Sequence, residues 1–77
     1  MKEKIREIVN EFANQEIPDD TAAELIESGY IDSLGIFSVL SGLEDEFGIE
    51  IEAEDISKSN FESIDSMTEM VLKYRSK

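Results

Sequence analysis

The sequence predicts an all-α fold, a four-helix bundle of three longer helices and one short helix. Three segments carry apolar residues at the three- and four-residue spacing of amphipathic helices, over residues 3–14, 33–47 and 64–75. Polar stretches containing Gly or Pro separate these segments. At 77 residues the chain is expected to form a single domain, 1–77, in which a bundle buries the apolar sides of the helices against one another.

The first helix is predicted over residues 3–14, ending at Asn14. Its apolar side chains form one stripe and should all enter the core: Ile5, Ile8, Val9 and Phe12. A long connection over residues 15–31 follows. A connection of this length in a small domain is usually functional or held by its own apolar contacts, expected here from Leu25, Ile26 and Ile31.

This connection carries two local signals. Pro18-Asp19-Asp20 indicates a turn. The segment from Thr21 to Glu24 matches a capping box, which favours a short helical turn through Ile26 that ends at Gly29.

The second long helix is predicted from Ser33 to Phe47, with Gly48 as its C-cap. Its buried face should consist of Ile36, Val39, Leu40, Leu43 and Phe47. Gly35 and Gly42 lie inside this helix, where each costs about 1 kcal/mol relative to Ala. Two reasons are open: close packing of another backbone, or a low surface beside Ser33 that lets a partner approach.

Residues 49–52 alternate like a strand but are too few, so they predict an extended connector with Ile49 and Ile51 turned inward. A short helical turn within residues 56–62 should be anchored by Ile56 and Phe61. Ser63 is the expected cap of the last helix, residues 64–75. Its inward side chains should be Ile64, Met67, Met70, Val71 and Tyr74, and its C-terminal cations are Lys73, Arg75 and Lys77.

The composition limits what the protein can do by itself. It contains no Cys and no His, so it has no disulfide, no thiolate metal site and no imidazole base. The acids between Glu50 and Asp55 lack the spacing of a calcium loop, and no metal site is predicted. No segment resembles a membrane span or a signal peptide. These features predict a non-catalytic, cytoplasmic protein, expected to be a monomer.

The net charge of −12 is unevenly distributed. All seven Lys and Arg residues lie in residues 1–6 or 58–77, whereas residues 7–57 hold fifteen acids and no base. This pattern excludes nucleic acid as a partner and disfavours anionic membrane surfaces. The acids form either a solubilising surface or a docking surface for basic patches on partner enzymes.

Ser33 lies at the junction between the long connection and the second helix. Asp32-Ser33 is first of all a capping signal. The same position gathers free backbone N–H groups and the positive end of the helix dipole, which favour a phosphate. A phosphodiester on Ser33 would therefore be accommodated without a pocket.

Two stretches in this order resemble the acyl carrier and peptidyl carrier proteins: Gly29-Tyr30-Ile31-Asp32-Ser33-Leu34 and Leu43-Glu44-Asp45-Glu46-Phe47-Gly48-Ile49. The similarity covers almost the whole chain. In that family the serine of an Asp-Ser-Leu motif carries 4'-phosphopantetheine. The resemblance implies an up-and-down bundle of the acyl-carrier type, with Ser33 as the attachment residue and Asp32 and Leu34 as recognition residues for the phosphopantetheinyl transferase.

The resemblance also implies a function. The modified protein would carry an acyl or aminoacyl group as a thioester and deliver it to activating enzymes and downstream transferases or synthases. Partner contacts are expected at Leu34, Phe37, Ser41 and Glu44. For Phe37 a place at the edge of the core against the connection is the other interpretation. The alternative function is an unmodified acidic adaptor that binds basic surfaces.

The chain departs from the fatty-acid-synthesis carriers at Gly35, Phe37 and Ser41, where those proteins usually have an acid, an aliphatic residue and Met. The stretch 60–64 looks more like that of discrete aminoacyl or D-alanyl carriers. A specialised discrete carrier is therefore weighed beside the fatty-acid role, and the cargo itself is not readable from the sequence.

Overall fold

The computed structural model describes residues 1–76 and is all-helical. Its helices are α1 (Lys2–Phe12), α2 (Ser33–Phe47), α3 (Lys58–Phe61) and α4 (Ile64–Arg75), with a 3-10 turn at Ala53–Asp55. No strand occurs within residues 1–76. The predicted fold of three longer helices and one short helix is confirmed. The expected role of Lys77 at the end of α4 lies outside the described residues.

Helix α4 organises the bundle because it contacts α1, α2 and α3. It begins after Ser63, whose hydroxyl accepts a hydrogen bond from the Ser66 N–H at 3.0 Å, so the predicted cap is confirmed. Its inward side chains are all buried, as expected: Ile64, Met67, Met70, Val71 and Tyr74. The central core that they complete also contains Ile5, Val9, Val39, Leu43 and Phe61.

Helix α1 buries Ile5, Ile8 and Val9 as predicted, but the prediction for Phe12 is wrong. Phe12 is 38% exposed because it is the last residue of α1, and the chain becomes extended at Ala13. The helix does not continue to Asn14. The Asn14 N–H instead bonds to the Tyr30 carbonyl at 2.9 Å and ties the end of α1 to the long connection.

Gly35 and Gly42 lie where neighbouring groups approach α2 closely. A Cβ on Gly42 would lie 2.7 Å from Cγ2 of Ile8, and one on Gly35 would lie 3.0 Å from Cγ2 of Ile31. Both distances are too short for a comfortable van der Waals contact. Of the two open reasons, the structure therefore supports close packing at both glycines, with side chains rather than another backbone as the nearest groups.

Residues 49–52 form neither helix nor strand and connect α2 to the 3-10 turn, with Glu52 extended, Ile51 buried and Ile49 half-buried. The connector is held by Tyr74, whose hydroxyl donates to the Asp55 carboxylate and accepts from the Glu52 N–H at 3.0 Å. The hydrogen bond to Asp55 raises the pKa of Tyr74, with burial as a second cause. The stabilisation is present below the ordinary tyrosine pKa of about 10 and is lost as the pH rises through the raised value.

A surface ion pair joins the start of α1 to the start of α4. The Lys2 ammonium donates to the Asp65 carboxylate at 2.7 Å, and this hydrogen bond is the main cause that lowers the pKa of Asp65. A depressed carboxyl pKa contributes stability above the unfolded value, and that contribution is lost as the pH falls through the folded value. The pair is solvent-exposed, so its contribution is small.

We expect moderate salt or millimolar Mg²⁺ to raise the melting temperature. The fifteen acids of residues 7–57 carry like charges with no base among them. The cations that pair with this segment, Lys4, Lys58 and Lys73, all lie outside it in the sequence. Salt at 0.1 M screens charges beyond about 10 Å. Relief of about 1 kcal/mol of repulsion would raise the melting temperature of a domain this small by about 4–8 °C.

Calorimetry in increasing NaCl, with MgCl2 compared at equal ionic strength, measures this effect. Identical melting temperatures under all conditions would mean that the carboxylates are already far enough apart to avoid strain.

Candidate functional site

The start of α2 is built by Asp32. Its carboxylate accepts the Gly35 N–H at 2.7 Å, and its backbone carbonyl accepts the Ile36 N–H at 3.0 Å. Asp32 is extended and is the N-cap, so Ser33 is the first helical residue. The predicted helix start and end are confirmed, and Gly48 closes α2 in the left-handed conformation at φ 62°. Of the two residues in the capping signal, only Asp32 caps.

The Ser33 side chain is exposed, and its hydroxyl takes part in no hydrogen bond with residues 1–76. The N–H groups of Ser33 and Leu34 likewise have no acceptor in that part of the chain. A phosphate on Ser33 would therefore meet two free donors and the positive end of the α2 dipole. Asp32 would repel it, but the Gly35 N–H already compensates part of that charge. The residues present fit a phosphodiester.

The connection delivers the chain to Ser33 through buried anchors. Leu25 and Ile31 are buried and Ile26 is half-buried, as expected. The Leu25 carbonyl accepts the N–H groups of Tyr30 and Ile31, both at 3.0 Å. Ile17 is also buried, and the sequence reasoning missed it. Its position directly before Pro18 was the available signal, because an apolar residue there can turn inward as the chain bends.

The predicted helical turn from Thr21 through Ile26 is wrong, since this segment contains turns and no helix. A capping box requires the Glu24 carboxylate to reach back to the Thr21 N–H. Glu24 instead accepts from the N–H groups that follow it, those of Ile26, Glu27 and Ser28. Gly29 has the positive φ of 88° that favours glycine, but no helix ends there as expected.

The connection is also tied to the region around α3. The Leu25 N–H donates to the Glu62 carbonyl at 2.7 Å. Lys58, at the start of α3, forms an ion pair with Glu27. Ser33 thus follows a segment that is attached to the end of α1 on one side and to α3 on the other.

An apolar face on α2 lies beside Ser33. Leu34 is 79% exposed, Phe37 is 58% exposed, and Ser41 is exposed on the same side of the helix. Of the two interpretations of Phe37, the exposed position is the one found. Glu44 continues this face but is half-buried, and one of its carboxylate oxygens accepts the Ile51 N–H at 2.8 Å. Sequence reasoning missed this intramolecular contact.

Two further properties of the described chain bear on function. No helix within residues 1–76 has the length and apolar character needed to cross a membrane. No group of three or more acidic side chains in the same residues is arranged to hold a metal ion.

Comparison with protein families finds a match to the model described as a phosphopantetheine attachment site, over residues 3–71. A comparison with curated proteins finds no match. Proteins of the matched family bind 4'-phosphopantetheine covalently. The match spans the whole helical bundle apart from a few residues at each end, and this chain therefore belongs to the phosphopantetheine-attachment-site family.

Proposed function

We propose that this protein is a non-catalytic carrier that holds 4'-phosphopantetheine on Ser33 and delivers an acyl or aminoacyl group to partner enzymes. One observation carries the assignment to Ser33. Its hydroxyl is exposed and unengaged at the first position of α2, within an Asp-Ser-Leu sequence inside the family match. The bound group supplies a thiol on a flexible arm, on which the cargo travels as a thioester.

Ser33 is the acceptor in the attachment step. Its Oγ forms a bond to the pantetheine-side phosphorus of coenzyme A, and the pyrophosphate bond breaks. Adenosine 3',5'-bisphosphate leaves. The hydroxyl proton passes to a base of the transferase, since this chain contains no His, the usual general base near neutral pH.

Another helix-start serine shows why position alone is not enough. Ser63 caps α4, is buried, and uses its hydroxyl to accept from Ser66 N–H. A transferase could reach it only if the cap were broken. Ser33 has neither constraint, because Asp32 performs the capping at α2.

The proposed docking face consists of Leu34, Phe37, Ser41 and Glu44, with Glu44 at its edge. Its partners would be the phosphopantetheinyl transferase, an activating enzyme and the downstream transferases or synthases. Exposed apolar side chains supply contact area, and the surrounding acids steer basic partner surfaces toward them. Such docking suits brief encounters, in which fast association and fast release both matter.

Phe37→Ala tests this face. We expect the kcat/KM of modification by a broad-specificity phosphopantetheinyl transferase to fall about tenfold, because an exposed aromatic anchor is worth roughly 1.4 kcal/mol or more. The melting temperature should hardly change, since Phe37 is 58% exposed. Leu72→Ala is the matched control, because Leu72 is 49% exposed on α4 and lies outside the proposed face. Equal rates for the two variants would remove Phe37 from the interface.

We further propose that the cargo belongs to a specialised pathway rather than to general fatty-acid synthesis. The support is the residues that line the proposed face, where Phe37 and Ser41 replace the aliphatic residue and Met that are usual in fatty-acid carriers. The proposed location of the protein is the cytoplasm, because the group comes from coenzyme A and both coenzyme A and the enzymes that use it point there. Mass spectrometry of the protein isolated from its native cells would identify the attached group, and a fatty acyl chain would contradict this assignment.

A further inference from the structure

The segment that precedes Ser33 takes its shape from one carboxylate. Glu24 Oε2 accepts the N–H groups of Ile26 at 2.9 Å and of Glu27 at 2.7 Å, and Oε1 accepts that of Ser28 at 2.9 Å. No helix or strand orders residues 24–31, so these hydrogen bonds replace a regular backbone pattern.

This turn is coupled to Ser33 by a short path. The Leu25 carbonyl, adjacent to Glu24, accepts from Tyr30 and Ile31, and Ile31 is buried directly before the cap Asp32. The Glu24 carboxylate holds the N–H groups of residues 26–28, and the Leu25 carbonyl holds those of residues 30 and 31. Between them, Gly29 reverses the chain at φ 88°.

We propose that Glu24 is a positioning residue for the modification of Ser33, and this rests on the proposed carrier function. Its carboxylate keeps the turn in one conformation, so the surface around Ser33 is already ordered when the transferase binds. Without it, three neighbouring N–H groups lose their acceptor and the turn samples other shapes. The transferase then has to order the turn when it binds, which weakens binding.

The role is local rather than a matter of overall folding. Glu24 is half-buried and outside the core, whereas the core anchors of this segment are Leu25 and Ile31. These anchors remain when the Glu24 side chain is removed. The α2 cap also remains, because it belongs to Asp32.

The test compares Glu24→Ala, Glu24→Gln and Glu16→Ala. Gln keeps one oxygen in a nearly identical shape and can still accept the two N–H groups that Oε2 holds. Glu16→Ala removes the same charge from an exposed position in the same connection. The measured quantities are kcat and KM for modification by coenzyme A and a broad-specificity phosphopantetheinyl transferase, together with amide hydrogen exchange.

We expect Glu24→Ala to raise KM about tenfold with kcat nearly unchanged, because the free energy needed to order the turn weakens binding and leaves the chemical step unaffected. Glu24→Gln should recover most of the loss, and Glu16→Ala should match the wild type. Amides 26–28 should exchange faster in Glu24→Ala, while those of α4 keep their protection. If Glu24→Ala lowers the protection of α4 as well, Glu24→Gln decides, because it loses only the acceptor of the Ser28 N–H. A KM above that of Glu16→Ala, with faster exchange at residue 28, then supports the inference, and a KM equal to that of Glu16→Ala overturns it.

Two results would overturn the inference. One is wild-type kinetics in Glu24→Ala despite faster exchange at residues 26–28, and the other is equal loss in Glu24→Ala and Glu16→Ala, which would indicate charge alone. Failure of the proposed function gives a different result, because the wild-type protein itself would then remain unmodified.

Discussion

Ser33→Ala is expected to abolish phosphopantetheine uptake and to leave the protein folded. The substitution removes the proposed acceptor oxygen. It removes no hydrogen bond within residues 1–76, because Asp32 caps α2 and the Ser33 hydroxyl is unengaged. Ala also has a higher helix propensity than Ser by a few tenths of a kcal/mol. Intact mass after incubation with coenzyme A and a transferase, together with a melting curve, measures both parts.

Ser28→Ala is the control for this experiment, because Ser28 is an exposed serine a few residues before Ser33 and should not affect uptake. Continued modification of Ser33→Ala would place the group on one of the other serines. A wild-type protein that never accepts the group would favour the alternative of an acidic adaptor that works without modification.

Phe61→Ala should cause the largest loss of stability among single aromatic truncations, about 3–5 kcal/mol. Phe61 is 1% exposed and is the only buried residue of the four-residue helix α3. Small domains have modest total stability, so a loss of this size would unfold a large fraction of the molecules. Urea denaturation followed by circular dichroism measures the change in the free energy of unfolding.

Phe37→Ala supplies the comparison for Phe61→Ala, since the same atoms are removed from a side chain that is 58% exposed. Its free energy of unfolding should change by less than about 1 kcal/mol. Similar losses in the two variants would mean that Phe37 packs against the bundle in solution. A loss below about 1 kcal/mol for Phe61→Ala would mean that α3 contributes little to the core.

The elements that could be predicted from the sequence are those with local signals at both ends. Helix α2 begins and ends where predicted because Asp32 and Gly48 cap it, and α4 begins where predicted because Ser63 caps it. The predicted end of α4 at Arg75 is also correct, and its local signal is the pair of cations Lys73 and Arg75 in the last turn. Helix α1 lacks a comparable C-terminal signal. Directly after its end at Phe12, the Asn14 N–H bonds to the carbonyl of Tyr30, a residue far away in the sequence that no local pattern indicates.

The candidate site divides in the same way. Ser33 and Leu34 could be placed at the start of α2 from periodicity and capping, whereas for Phe37 the same patterns left a place at the edge of the core open. The directions of the Glu24 and Glu44 carboxylates could not be predicted from the sequence. Each bonds to N–H groups further along the chain, and the local pattern offered Glu24 an equally reasonable partner behind it. Which N–H groups each carboxylate accepts depends on the path of the backbone, and that path is set by the packing of buried residues elsewhere in the chain.

Asp32 caps α2, and Ser33 is only the proposed acceptor; this separation of the two roles has a thermodynamic consequence. The fold gains nothing from the Ser33 hydroxyl, so exchanging it for a phosphodiester removes no native contact. Attachment and unfolding are then weakly linked, and the free energy of unfolding need hardly differ between bare and loaded protein. With the group on Ser33, as proposed, the chain would fold before it meets a transferase, and it would gain, exchange or lose cargo without any change in the packing of the bundle.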